Sequence, residues 1–215
     1  MGIKVGKQSI TFNSPVAIKG YFSSATKKEG DGPVGEYFDV VYQDEYIDAK
    51  SWEEAENRIL KHTVNGAFTN ARVSSNDIDY VFSGDLLNQC TASSFALKDM
   101  NMPSFGLYGA CSTMAESMCL ASVMVDAGYA KNALAATSSH FCSSEKQYRF
   151  PLEYGGVRTP TSQWTVTGSG AVVLSNDGTP LHVKSITTGK MVDFGVSDVN
   201  NMGAAMAPVS VKLTP

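Results

Sequence analysis

Apolar residues recur along this chain at intervals that predict alternating helices and strands. From Trp52 to Phe68 they fall at helical spacing behind a capping box formed by Ser51 and Glu54, which predicts an amphipathic helix over residues 51–70. Short apolar runs further on predict strands at residues 78–83, 104–108 and 133–137, and the first of these suits a strand that is buried on both faces.

Two more helices are predicted between these strands. Residues 91–99 form the second, and the third carries Met114, Met118 and Val125 at helical spacing until Gly128 ends it. Strands that alternate with helices in this way predict an α/β fold with a mostly parallel sheet covered by helices.

The two ends of the chain are also predicted to form strands. Apolar runs predict edge strands at residues 9–12 and 16–21, whereas the stretch from 138 to about 163 is predicted to be irregular. Residues 165–175 and 181–188 predict two final strands, with Asn176-Asp177-Gly178 as the hairpin turn between them.

The composition narrows the classes of function. A chain of 215 residues with 43% hydrophobic and 18% charged residues carries enough apolar material for one globular domain. The formal net charge of −4 gives no general attraction to phosphate, so nucleic acid is not an expected partner. The cysteines form no C-x-x-C pair, and the sequence shows no signal-type apolar region and no run of ~20 apolar residues. We therefore expect reduced thiols, no zinc or dithiol site, and a protein that stays on the cytoplasmic side.

Gly109-Ala110-Cys111-Ser112 places a thiol where a predicted strand meets the third helix. Helix N-termini favour a thiolate through their partial positive charge and free N–H groups, so Cys111 is a candidate nucleophile. The alternative is that Cys111 is an inert thiol that packs as a small apolar residue.

A cysteine nucleophile needs a general base, and the chain has three histidines. His62 falls within the first helix and His182 at the start of the last strand, where structural roles are expected. His140 follows the strand after the Cys111 helix, so we predict that it emerges at the same sheet edge and lines a pocket rather than acting as a base.

Several blocks of residues together resemble known proteins. Gly109-Ala110-Cys111-Ser112 and the segment from Thr167 to Leu174 resemble the N-terminal half of ketoacyl synthases and thiolases. The chain more closely resembles the stage V sporulation protein AD family, in the blocks Gly84-Asp85-Leu86-Leu87-Asn88-Gln89, Ala135-Ala136-Thr137-Ser138-Ser139-His140, Glu153-Tyr154-Gly155-Gly156 and Met202-Gly203-Ala204-Ala205-Met206-Ala207-Pro208.

This resemblance implies a thiolase-like fold and a role in the uptake of dipicolinic acid (pyridine-2,6-dicarboxylic acid) into the developing spore. The family is understood as a ligand binder rather than an acyl transferase, and it works with membrane proteins encoded in the same sporulation operon. Its members pair as homodimers beside the helix that carries the cysteine. The resemblance thus implies a peripheral protein at the spore inner membrane or its cytoplasmic face.

The family has two similar halves, and the resemblance divides this chain between them. Residues 1–180 correspond to the N-terminal thiolase-like domain, and residues 181–215 to the incomplete beginning of the second half. In condensing enzymes the histidine and the asparagine or second histidine that serve the cysteine come from that second half. Cys111 is therefore expected to lack a base in this chain.

A planar dicarboxylate is held best by arginine forks and backbone N–H groups. The N-terminus of the third helix suits one carboxylate, and Arg149 or Arg158 suits the other, unless both arginines are ordinary surface residues. Tyr154, Phe141 and Tyr148 are candidates to stack on the pyridine ring, or else they fill the core.

Asp85 ends a predicted strand, at the edge where open α/β sheets bind ligands. It either helps to hold a calcium ion that accompanies the ligand or caps the loop by accepting backbone hydrogen bonds, and we favour the cap. The predicted ligand site comprises Asp85, Cys111, His140, Arg149 and Tyr154, with no resident metal or cofactor.

Two other functions stay open. A condensing enzyme of the thiolase or ketoacyl synthase type would use Cys111 for acyl transfer. A purely structural subunit would have inherited the pocket and left it empty.

Overall fold

The computed structural model describes residues 2–87, 90–148 and 165–198, together with 201, 203, 204 and 206; for residues 145–148 it describes the backbone alone. The α-helices in this part of the chain are α1 (Lys27–Gly30), α2 (Trp52–Ala71), α3 (Thr91–Leu97), α4 (Thr113–Asp126) and α5 (Phe141–Tyr148). The strands are β1 (Ile3–Val5), β2 (Ser9–Thr26), β3 (Val40–Tyr42), β4 (Tyr80–Asp85), β5 (Ser104–Gly106), β6 (Asn132–Ser139), β7 (Gly168–Ser175) and β8 (His182–Thr187).

The strands form one mixed sheet in the order β1-β2-β7-β6-β4-β5, and β3 and β8 also pair with β2. β4 pairs in parallel with β5 and β6, as the alternation of strands and helices predicts. β7 runs antiparallel between β2 and β6, so the sheet combines a parallel part with an antiparallel part.

Helices cover the central strands of the sheet on both faces. In β6, Leu134 and Ala136 belong to one core cluster with the apolar residues of α2, while Ala133 and Ala135 belong to another with those of α4. Alternate side chains of a strand point to opposite faces, so β6 is buried on both sides. The result is a layer order of helix, sheet and helix.

The predicted ends of the two longest helices are confirmed. Ser51 Oγ accepts a hydrogen bond from the Glu54 N–H at 3.1 Å, although the Glu54 carboxylate accepts from the Lys50 N–H rather than from Ser51. α4 ends at Asp126, and Gly128 adopts a φ of 78°, the left-handed conformation that favours glycine after a helix.

The prediction of two short edge strands near the N-terminus is wrong. Residues 9–26 form a single strand, β2, which has partners on both of its sides. Pro15 interrupts the local pattern, but it falls within a register shift against β8, between Thr11 and Val16, where the ladder is already broken.

The predicted hairpin between the last two strands is also wrong. β7 and β8 both pair antiparallel with β2, so that Ala17 lies opposite Ser175 on one side and opposite His182 on the other. The turn at residues 176–178 therefore crosses over β2, and Thr179 Oγ1 fastens it there by donating to the Ile18 carbonyl at 2.7 Å.

Residues 141–148 form helix α5, where an irregular stretch was predicted. The Phe141 N–H at the start of α5 donates to Thr167 Oγ1 at 2.9 Å, and these two residues are 26 positions apart in sequence. Because the residue that caps α5 is so distant in sequence, the residues just before the helix contain no capping motif that would have predicted it. Within the described ranges, no helix has the length and apolar character needed to cross a membrane.

Candidate functional site

The three parallel strands β5, β4 and β6 end at the same edge of the sheet. Ser83 lies opposite Gly106, and Asp85 lies opposite Ser138. The chain after β5 turns into the corner that carries Cys111, and the chain after β6 turns at His140. The fold therefore brings the segments that carry three predicted site residues to one edge, as sequence reasoning predicts.

Cys111 lies in a single 3-10 turn, Ala110–Ser112, immediately before α4. Its side chain is exposed, so it is not the buried apolar thiol of the alternative interpretation. Ala110 adopts a left-handed φ of 48°, which turns the chain sharply into the helix. The Ser112 side chain does not cap α4, because its hydroxyl donates back to the Gly109 carbonyl at 2.7 Å.

The Cys111 corner is packed tightly against the end of β4. The Leu107 N–H donates to the Ser83 carbonyl at 2.9 Å. A Cβ atom on Gly84 would lie 2.0 Å from the Leu107 carbonyl oxygen and 2.8 Å from Cγ2 of Thr113, so only glycine fits this approach. Gly84 therefore sets how closely the corner approaches the end of β4.

Asp85 is fully buried and caps the first turn of α3. Its Oδ2 accepts hydrogen bonds from both the N–H and the hydroxyl of Ser93, each at 2.7 Å. Burial raises the pKa of Asp85, and the bonds from Ser93 oppose that rise. Two roles were predicted for Asp85, to help hold a calcium ion or to cap the loop by accepting backbone hydrogen bonds. These contacts are those of a cap. In the described parts of the chain, no three His, Cys, Asp or Glu side chains are grouped so that they could hold a metal ion.

His140 is fully buried, and both of its ring nitrogens are engaged. Nδ1 accepts from the Cys142 N–H at 3.1 Å, so Nε2 carries the proton and donates to the Glu45 carbonyl at 2.8 Å. The ring also contacts Trp52, with centroids 5.4 Å apart. Burial lowers the pKa of His140, which keeps the imidazole neutral. The side chain is thus locked into the fold rather than directed at Cys111.

The other two histidines are bonded elsewhere. His62 Nδ1 hydrogen bonds to the Tyr42 hydroxyl, and His182 Nδ1 lies 2.8 Å from the Pro180 carbonyl oxygen, where it can only donate. The structural roles predicted for both residues agree with these contacts.

Sequence reasoning missed a buried acid, Glu56, on the inner face of α2. Its two carboxyl oxygens lie 3.0 Å from the hydroxyls of Ser138 and Ser143, at the turn that carries His140. Burial raises the pKa of Glu56 to about 7, and the nearby Asp85 adds to that rise. A signal was present, because Glu56 stands four residues from both Trp52 and Leu60 and so shares the apolar face of the helix.

Two members of the predicted site, Arg149 and Tyr154, lie outside the described residues, as does the alternative Arg158. The side chain of Tyr148 is likewise outside them. Phe141 is partly buried at the start of α5, where the ammonium group of Lys28 lies 5.4 Å from its ring centroid. The ligand-binding roles of these residues stay predictions.

The fold of this chain is shared with solved structures of other proteins. It matches the priming β-ketosynthase of the R1128 polyketide pathway with a TM-score of 0.50 and 17% identity, over 84% of this chain and 54% of that one. It also matches a variant of OleA from Xanthomonas campestris with a TM-score of 0.51 and 14% identity, over 77% of this chain and 57% of that one. The predicted α/β, thiolase-like fold is thereby confirmed.

The sequence comparisons then identify the family. The family model described as stage V sporulation protein AD matches residues 6–214. The chain is 42% identical over 205 residues to stage V sporulation protein AD of Bacillus subtilis strain 168, a match that covers 95% of this chain and 61% of that protein. The chain belongs to the stage V sporulation protein AD family, and it spans about three fifths of the length of this curated relative. The family is named for spore formation and not for a catalysed reaction.

Proposed function

We propose that this protein binds dipicolinic acid during spore formation and takes part in its uptake, without catalysing acyl transfer. The family membership supports a role in sporulation. The observation that carries the ligand assignment is the exposed Cys111 corner, Ala110–Ser112, which leads into α4 without a capping hydrogen bond from the Ser112 side chain. Free N–H groups and the helix dipole at such a turn suit a carboxylate.

The second carboxylate of the ligand is assigned to an arginine. Arg149 follows α5 directly in the sequence, and a guanidinium group binds a carboxylate through two parallel hydrogen bonds. Tyr154 supplies a ring for stacking on the pyridine. Asp85 holds the first turn of α3 next to this edge of the sheet by accepting a hydrogen bond from the Ser93 N–H.

The arrangement of the histidines supports binding rather than catalysis. Acyl transfer needs a base that can take the thiol proton and donors for the oxyanion. Each histidine of this chain is hydrogen bonded to another group, so none is presented to Cys111. The ketosynthase-like fold and the position of Cys111 favour a condensing enzyme as the second candidate function.

Calorimetric titration of the purified protein with dipicolinate, with and without calcium, tests the proposal. We expect binding that Arg149→Ala weakens roughly tenfold to hundredfold, because one charge-assisted contact contributes about 1.5–3 kcal/mol. Pyridine-2-carboxylate, which lacks the second carboxylate, serves as the matched ligand and should bind weakly to both proteins. Absence of binding, together with an acyl adduct on Cys111 after incubation with acyl-coenzyme A, would instead establish the condensing enzyme.

We further propose that the protein forms a homodimer through β5. This strand ends the sheet and is exposed along its length, and Phe105 on it is 49% exposed although its ring stacks on Phe82 at 5.1 Å. An edge strand presents unpaired N–H and C=O groups to which a second copy can add. Within the sporulation system, the dimer would work with the membrane proteins of its operon as a peripheral component.

Sedimentation velocity checks the dimer. The wild type should sediment as a dimer, and Phe105→Lys should sediment as a monomer, since a charged side chain on the edge opposes pairing. Tyr21→Lys is the control, because Tyr21 is 58% exposed on β2, away from this edge. A dimer that survives the Phe105 change would place the interface elsewhere.

A further inference from the structure

The loop between β3 and α2 contains two neighbouring residues in a strained backbone conformation. Ile47 has a φ of 50° and Asp48 a φ of 56°, both in the left-handed region that glycine adopts readily. For a β-branched residue such as Ile47 this conformation is an outlier, because its Cβ crowds the following carbonyl oxygen. Strain of this kind persists only where other contacts enforce it, and it is concentrated at clamps and switches.

The side chains that hold this conformation are those of Asp44 and Arg58. Asp44 Oδ1 accepts hydrogen bonds from the N–H groups of Tyr46 at 2.8 Å and Ile47 at 2.9 Å, so it shapes the loop from within. Arg58 Nη1 donates to the Ile47 carbonyl at 3.3 Å and to the Asp48 carbonyl at 2.6 Å. Because Arg58 belongs to α2, its bonds tie the strained residues to that helix.

The same loop closes off one side of His140, which is fully buried. The Glu45 carbonyl accepts the hydrogen bond from His140 Nε2 at 2.8 Å. The Tyr46 ring stacks on the Trp52 ring at 4.0 Å between centroids, and Trp52 contacts the His140 ring. Ile47 is buried as well, so the loop packs down on the body of the protein. A segment whose backbone favours another conformation therefore covers the imidazole.

We propose that residues 44–48 form a strap that opens locally and controls access to His140, with Arg58 as its latch. In the open form Ile47 and Asp48 relax to ordinary backbone conformations, and Nε2 of His140 loses its carbonyl partner. His140 follows β6 at the edge of the sheet that carries the candidate site, so opening offers the Nε2–H to an oxygen atom of a ligand there. The inference concerns access to His140 and holds whether or not dipicolinate is that ligand.

Opening breaks a small, defined set of contacts. The ends of the loop stay anchored, because β3 pairs with β2 before it and α2 begins after it. The bonds of Asp44 lie within the loop and can move with it. Besides the burial of Ile47, the strap loses partners outside the loop that include Arg58, His140, Thr26 and Trp52. Relief of the strain offsets part of that loss, and segments held by few tertiary contacts open more readily than the whole fold.

The rate at which diethyl pyrocarbonate modifies His140, followed on its own peptide by mass spectrometry, measures how often the strap is open. The reagent attacks imidazole nitrogens that solvent can reach. His62 and His182 are exposed and serve as internal references in every sample.

Loss of the latch should open the strap. Arg58→Met should raise the rate at His140 about tenfold or more, because charge-assisted hydrogen bonds to two carbonyls are lost. Arg58→Lys should give an intermediate rate, since an ammonium group lacks the planar fork that reaches both carbonyls. Lys61→Met is the matched control, because it removes another cation of α2, one that pairs with Asp99, and should leave the rate unchanged.

Glycine at the strained position tests the strap from the opposite direction. Asp48→Gly relieves the strain and keeps the carbonyl that Arg58 binds, so it should lower the rate at His140 about threefold to fivefold. Arg72→Gly is the matched control. Arg72 is also exposed with a φ of 56°, but it caps the far end of α2. This variant should leave the rate at His140 unchanged.

The comparison of these two glycine variants separates local opening from unfolding of the whole protein. If only global unfolding uncovers His140, its rate follows the overall stability, and Arg72→Gly slows it as much as Asp48→Gly does. That result overturns the proposal, and so does an unchanged rate in Arg58→Met. A rate that responds to Asp48→Gly and not to Arg72→Gly supports it, even if Arg58→Met does not fold.

Discussion

Replacing Glu56 with glutamine should raise the free energy of unfolding by about 3 kcal/mol at pH 8 and leave it nearly unchanged below pH 4.5. Glutamine keeps one acceptor for Ser138 and one donor for Ser143, and it cannot ionise. Chemical denaturation of both proteins across this pH range is the measurement.

The sign of this effect follows from the direction of the pKa shift. The pKa of Glu56 rises from 4.5 in the unfolded chain to about 7 in the fold, so between these values the folded protein holds a proton that the unfolded chain has released. The contribution of protonated Glu56 to the free energy of unfolding is fully present below pH 4.5, and it is lost as the pH rises to about 7. The glutamine side chain does not titrate, so the variant does not lose this part of its free energy of unfolding as the pH rises.

Two comparisons sharpen the test of Glu56. Glu56→Ala leaves both serine hydroxyls without their partner and should destabilise the protein at every pH. Glu36→Gln should give the same pH profile of stability as the wild type, because Glu36 is exposed. Equal stabilities of the wild type and Glu56→Gln at pH 8 would show that Glu56 is already ionised at no cost to the fold.

Replacing Gly84 with alanine should destabilise the protein by about 1–3 kcal/mol and displace the Cys111 corner. The new methyl group would lie 2.0 Å from the Leu107 carbonyl oxygen, and this neighbour is main chain that cannot rotate away. Urea denaturation measures the loss of stability. The rate of alkylation at Cys111, followed on its own peptide by mass spectrometry, measures the change at the corner.

Gly170 provides the matched control for Gly84. It also lies in a strand, β7, but a Cβ atom built on it meets nothing within 4 Å. Gly170→Ala should therefore be neutral or slightly stabilising, because glycine in a strand costs about 0.5–1 kcal/mol relative to alanine. If the two alanine variants behave alike, the close approach at Gly84 does not constrain the corner.

Features that a short window of sequence encodes were predictable. The apolar repeat of α2, the buried run of β4 and the Gly128 stop after α4 each depend on residues close in sequence, and the structure has all three. The Cys111 corner was predictable for the same reason, since a strand, a turn and a helix follow directly on one another.

Features that depend on distant partners were not predictable. The pairing of β8 with β2, instead of with β7, is decided by the sheet and not by the turn at residues 176–178. The start of α5 is capped by Thr167, and the His140 ring is fixed by the Glu45 carbonyl. The role of Glu56 was hidden for the same reason, because its serine partners lie 82 and 87 residues away.

β2 also constrains the order in which this protein can assemble. Ser9 pairs with Thr187, so the N-terminal part of β2 waits for a strand that is made 178 residues later. At about 5–20 residues per second, the delay is on the order of ten to thirty seconds. During that time the N-terminal half of β2 has an open side, and such an edge invites association between nascent chains. Translation speed and chaperone supply should therefore affect the yield of folded protein.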